Sequence, residues 1–106
     1  MRLSYSREAV EDLERLRDFI AEKSPPAAAP IAERLIKGIE KLKTFPRLGH
    51  PVEKAPDPDR IRDVLVGDYV VRYLLLDRSA LILRIWHQLE NWPESPVADP
   101  LDAGER

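Results

Sequence analysis

The sequence predicts an α+β fold in the order βααβββ: a short N-terminal strand, then an antiparallel helical hairpin packed on a small, mostly antiparallel β-sheet. Three observations carry this. Residues 6–44 hold two stretches with apolar residues spaced by three and four, separated by Ser24-Pro25-Pro26. Residues 60–87 hold three apolar runs of strand length, separated by Gly67-Asp68 and by Asp77-Arg78-Ser79. The length, 106 residues, suits one domain with a single modest core.

The elements follow in order. Residues 1–5 alternate Leu3 and Tyr5 with polar neighbours and read as a brief strand. Ser6 is the expected helix N-cap, with Glu8 in the first turn, where the helix dipole favours an anion. The helix runs to about residue 23 on a stripe of Val10, Leu13, Leu16 and Ile20, widened by Phe19. A second helix spans about 27–44 on Ile31, Leu35, Ile39 and Leu42, flanked by Ile36 and Phe45. Pro30 requires that helix to start late, or to kink, because proline lacks the N–H of a helix interior. Residues 46–59, rich in Pro, Gly and charge, read as a loop. Strands follow at about 60–66, 69–76 and 80–87. The organisation is thus a domain over 1–92 and a Pro-rich acidic tail over 93–106.

Composition narrows the function. The apolar fraction, 43%, is that of a globular protein. Without cysteine there are no disulfides or thiolate metal sites, and two histidines far apart make no metal cluster. Neither metal nor cofactor is expected. No apolar run reaches the roughly 18–20 residues of a membrane span, and residues 1–16 lack a signal-peptide core, so the expected location is the cytoplasm. The formal net charge is −2, unevenly spread. Residues 90–106 hold Glu90, Glu94, Asp99, Asp102 and Glu105 against the single cation Arg106, which leaves residues 1–89 mildly cationic.

Arginines recur inside the strands, where a charge is costly unless it faces solvent or a partner. Alternation puts Tyr69, Val71, Tyr73 and Leu75 on one face, with Leu81, Leu83, Ile85 and His87, as the core side. The opposite face would carry Val70, Arg72, Leu74 and Leu76 with Ala80, Ile82, Arg84 and Trp86. A three-residue loop would set Leu76 opposite Ala80, Arg72 opposite Arg84 and Val70 opposite Trp86. Arg60 and Arg62 are candidates to join them. Arg60, Arg62, Arg72, Arg84 and Trp86 are therefore candidate binding residues for an anion, since guanidinium binds phosphate or carboxylate in a bidentate way. Pairing with Asp63, Asp68 and Glu90 is the structural alternative. His87 is a candidate general base, but it has no local nucleophile or second acid, and a lone histidine at a strand end is more often a hydrogen-bonded structural residue.

The motifs, in their order, resemble the ParE/RelE superfamily of toxins from bacterial type II toxin–antitoxin modules, including plasmid stabilisation proteins. The resemblance covers the chain to about residue 92. It rests on Tyr5, Ala9 and Asp12-Leu13, on Ser24-Pro25, and on LKTFPRLG at 42–49. It rests most on RDVLVG at 62–67, YVVRY at 69–73 and ILRIWH at 82–87. It implies the same helical hairpin on a small sheet and a cognate antitoxin as partner. It also implies one of two targets, DNA gyrase for ParE-like members or ribosome-bound mRNA for RelE-like endoribonucleases. The nuclease pattern has cations after the last strand, a late tyrosine or histidine, and often an arginine after the first tyrosine of the YVVRY motif. Here Gln88-Leu89-Glu90-Asn91 follows the strand, no tyrosine follows Tyr73, and Val70 stands directly after Tyr69. The resemblance thus favours a gyrase inhibitor that acts by binding, with no catalytic residues. The alternatives are a nuclease using Arg62, Arg72, Arg84 and His87, or a non-toxic member that binds antitoxin alone.

Overall fold

A computed structural model describes residues 1–89. The chain forms β1 (Arg2–Tyr5), α1 (Arg7–Lys23), α2 (Pro25–Glu40), a 3₁₀ turn (Lys41–Lys43), β2 (His50–Pro51), β3 (Ile61–Val66), β4 (Tyr69–Leu75) and β5 (Ser79–His87). The five strands form one sheet in the order β1-β5-β4-β3-β2. β1 runs parallel to β5 and the other pairs are antiparallel, so the expected α+β class and element order hold. The tail over 93–106 and Trp92 lie outside the described residues.

Ser6 caps α1 as expected, its Oγ accepting from the Ala9 N–H at 3.0 Å. The buried stripe, however, is Ala9, Asp12 and Leu16, while Val10 and Phe19 face outward. Leu13 and Leu16 keep their expected core side, Leu13 partly buried, while Ala9 takes the place of Val10 and a buried carboxylate that apolar spacing does not register, Asp12, joins the stripe. α2 starts at Pro25, earlier than expected, with prolines in its first two positions, where their missing N–H groups are not needed. Pro30 therefore lies inside the helix rather than in its first turn. The last turn tightens to 3₁₀ over Lys41–Lys43, so the α-helix is shorter than the apolar pattern implied. Phe45, expected to flank the stripe, is exposed.

The loop at 46–59 contains a further strand, β2, pairing His50 with Asp63 and Pro51 with Arg62. A two-residue edge strand with a proline leaves no alternation to read. The β4–β5 hairpin differs more. Leu76 N–H bonds the Ser79 carbonyl, and Leu75 pairs with Ala80, one residue off the expected register. A β-bulge in β5 then absorbs Leu83 and restores the Arg72–Arg84 and Val70–Trp86 pairs. The expected pairing beside the arginines is right although the turn was not. The faces near the turn are exchanged. Ala80 and Ile82 join Ile85, Val71, Tyr73, Leu35 and Ile39 in the helix-side core, whereas Leu81 and Leu83 pack on the outer side with Ile61 and Ala55.

Candidate functional site

β1 pairs with β5 only as far as Ile82, and beyond it α1 takes the place of a strand. An open strand edge leaves backbone groups that must find partners when buried. Ser6 Oγ donates to the Leu83 carbonyl at 2.9 Å. The Asp12 carboxylate accepts from the Ile85 N–H at 2.9 Å, and Arg15 donates to the Ile85 carbonyl at 3.3 Å. Asp12 is 4% exposed and also accepts from Arg84, Nε at 2.9 Å and Nη2 at 3.2 Å, and from Arg15 at 3.5 Å. One buried carboxylate therefore accepts charge-assisted hydrogen bonds from two guanidinium groups and a hydrogen bond from a backbone N–H.

Arg72 faces the outer side of the sheet. Its Nε and Nη2 reach Asp63 on β3 at 2.8 and 3.0 Å, a bidentate pair, and its guanidinium lies 5.3 Å from the centre of the Trp86 ring. Trp86 is 7% exposed, a packed plank beneath the ion pair rather than an open stacking surface.

Arg62 pairs with Tyr73 in the β3–β4 ladder and so shares the helix-side face, with Val64, not the face of Arg72. It donates to the Gly49 carbonyl at 2.7 Å and to the Asp59 carbonyl at 3.0 Å, and pairs with the Asp59 carboxylate at 3.1 Å. The Tyr73 hydroxyl donates to the Pro46 carbonyl at 2.7 Å and accepts from the Gly49 N–H at 3.0 Å. Arg62 and Tyr73 thus pin the LKTFPRLG segment onto the sheet. A Cβ at Gly49 would stand 2.7 Å from the Asp63 carbonyl oxygen, so only glycine fits there. Burial pushes the Tyr73 hydroxyl above its ordinary pKa near 10, a shift opposed by the Gly49 hydrogen bond and by Arg62 and Arg47.

The expected gathering of Arg60, Arg62, Arg72 and Arg84 on one face forms only in part. Arg72 and Arg84 are cross-strand partners and Trp86 lies against Arg72, but the two guanidinium groups turn to different carboxylates, Asp63 and Asp12. Arg62 lies on the helix side, and exposed Arg60 pairs with Asp57 at 3.5 Å. His87 ends β5, its ring edge-on to Tyr69 at 5.1 Å and its Nδ1 accepting from the Leu89 N–H at 3.0 Å. Asp63 was legible as a partner for a strand arginine. Asp12 is legible in the sequence only through the Asp12-Leu13 pair that carries the resemblance; its place on the buried side of α1, between Ala9 and Leu16, is one that apolar spacing does not register.

Residues 3–92 match the sequence profile of the ParE toxin of type II toxin–antitoxin systems. The chain belongs to the ParE toxin family. Two toxins of Caulobacter vibrioides are similar to it. RelE1 is 36% identical over 77% of this chain and 87% of its own length, and RelE2 is 35% identical over 74% and 85%. Among solved structures, the chromosomal ParDE system of P. aeruginosa matches with a TM-score of 0.71 at 20% identity, covering 82% of this chain and 95% of that one. The RelBE2 toxin–antitoxin complex of Mycobacterium tuberculosis matches with a TM-score of 0.57 at 21% identity, covering 81% and 88%. These two likenesses concern the fold. The segments on which the resemblance rests, at Asp12, 42–49, 62–67 and 82–87, coincide with residues that tie the sheet to α1 and to the loop before β2. No helix among the described residues is long and apolar enough to cross a membrane.

Proposed function

We propose that this toxin acts by binding, with DNA gyrase as the target, and that a cognate antitoxin holds it inactive. The observation that carries the reading is the internal commitment of the strand arginines. Cleavage of RNA needs cations gathered where charge develops on the phosphate, next to an acid–base group. Arg62, Arg72 and Arg84 point to three different places and hold Asp59, Asp63 and Asp12, so moving any of them to a phosphate would strand a carboxylate or the Gly49 carbonyl. Exposed Phe19, Phe45 and Leu65 supply apolar surface for a protein partner, and both structural neighbours come from toxin–antitoxin systems.

The RelE names of the two Caulobacter relatives favour the second reading, a ribosome-dependent endoribonuclease. Purified toxin added to gyrase and relaxed plasmid should block supercoiling and trap cleaved DNA, while ribosome-bound message stays intact. Cut message with unaffected gyrase would replace the first reading by the second. Inactivity in both assays, together with normal growth when the chain is expressed without antitoxin, would support a member that binds antitoxin alone.

A further inference from the structure

Facing the β3–β4 turn, α2 carries Arg34 and Lys37, and the 3₁₀ turn that follows it carries Lys41, all exposed. None of the three forms an ion pair with a described residue, unlike Arg47 and Arg60 at the other end of the sheet, which hold Asp59 and Asp57. The three cations border an open groove of about 400 Å³ whose floor is Ile31, Leu35 and Val66. Gly38 makes the floor possible, because a Cβ there would collide with the Val66 side chain. Asp68 is the single carboxylate among the described residues lining the groove.

β5 ends beside this groove. His87 pairs with Tyr69, and the Gln88 N–H bonds the Asp68 carbonyl at 2.9 Å, so Leu89 leaves beside two residues of the groove wall. Residues 90–106 then bring five carboxylates against one cation, with Trp92, Val97 and Leu101 spaced among them. Pro93, Pro96 and Pro100 favour an extended form, which loses less entropy on docking than a flexible chain would. Extended chain advances about 3.3 Å per residue, and Arg34 to Lys41 spans only about 10 Å of helix, so reach is ample. The family match stops at residue 92, which makes most of this segment a feature of the chain beyond the shared domain.

We propose that residues 90–106 dock in cis in the groove between α2 and the β3–β4 turn, their carboxylates meeting Arg34, Lys37 and Lys41 and their apolar side chains meeting Ile31 and Val66. The inference does not depend on the cellular target. Amide hydrogen exchange of the full chain tests it. At low salt the amides of 90–106 should exchange roughly tenfold or more below the rate of an unstructured chain. The triple change Arg34→Glu, Lys37→Glu, Lys41→Glu should return them to the unstructured rate, while amides of β5 keep their protection and so report an intact fold. Raising salt to about 1 M should weaken the protection of the unaltered chain in the same direction. Unprotected amides at low salt, or protection that survives the charge reversal, would overturn the proposal. Protection that grows with protein concentration would overturn it too, by assigning the groove to the segment of a second copy.

Discussion

Arg72 and Lys37 carry the same charge in opposite circumstances. Arg72 sits in a strand, 5% exposed, with both carboxylate oxygens of Asp63 within 3.0 Å and an indole beneath it. Lys37 stands on the outer turn of a helix beside Arg34 and Lys41, with no described carboxylate paired to it. Inside the sheet, charge fixes geometry, because a desolvated ion without its partner is costly. On α2, charge is kept in water, where it contributes little to stability and remains available to a ligand. Residue type alone does not separate a structural cation from a recognising one; the partner does.

The comparison breaks most visibly at Asp12. Asp12→Ala should cost about 3–5 kcal/mol, because it removes both hydrogen bonds from Arg84 to the carboxylate and leaves the buried Ile85 N–H without its acceptor. Urea unfolding measures this, and exchange of the Ile85 amide should rise with it. The loop pin comes next. Gly49→Ala should destabilise by about 2 kcal/mol or more, since a side chain there meets the Asp63 carbonyl and the Tyr73 ring.

A pH effect follows from Tyr73. Its folded-state pKa lies above the unfolded value near 10, so the folded state holds the proton more tightly. The stability linked to it is complete below about pH 10 and is lost as pH rises past that value toward the folded pKa. Tyr73→Phe should flatten that alkaline loss, read as the melting temperature between pH 9 and 11, while lowering stability at neutral pH. The smallest effect is expected at Tyr5, whose buried hydroxyl has no hydrogen-bond partner among the described residues. Tyr5→Phe should change stability by no more than about 0.5 kcal/mol, or raise it, because it removes a polar atom that lost water without gaining a bond.

Periodicity made the hairpin, the three long strands and their order legible, because each element repeats its signal over many residues. Two positions show why the candidate site was less so. The Arg72–Arg84 pairing emerged from an expected three-residue turn, but the chain makes a tighter turn and recovers the register through a bulge at Leu83. A bulge is one residue long and leaves no pattern. Asp12 was hidden for a related reason: apolar spacing cannot register a carboxylate buried against guanidinium groups contributed from α1 itself and from more than seventy residues away. The pair exists only once α1 has replaced the missing part of β1 along β5. Alternation placed Arg72, Arg84 and Trp86 together, but not the carboxylates of a helix and a neighbouring strand that occupy the two guanidinium groups, nor the loop that holds Arg62 on the other face.

The central claim is that the sheet arginines are internal ties while the α2 cations are not. Urea unfolding of Arg72→Met and Lys37→Met, side by side, tests it most directly. The account predicts a loss of about 2 kcal/mol or more for Arg72→Met and less than about 0.5 kcal/mol for Lys37→Met. Equal losses, or an Arg72→Met variant as stable as the unaltered protein, would contradict it.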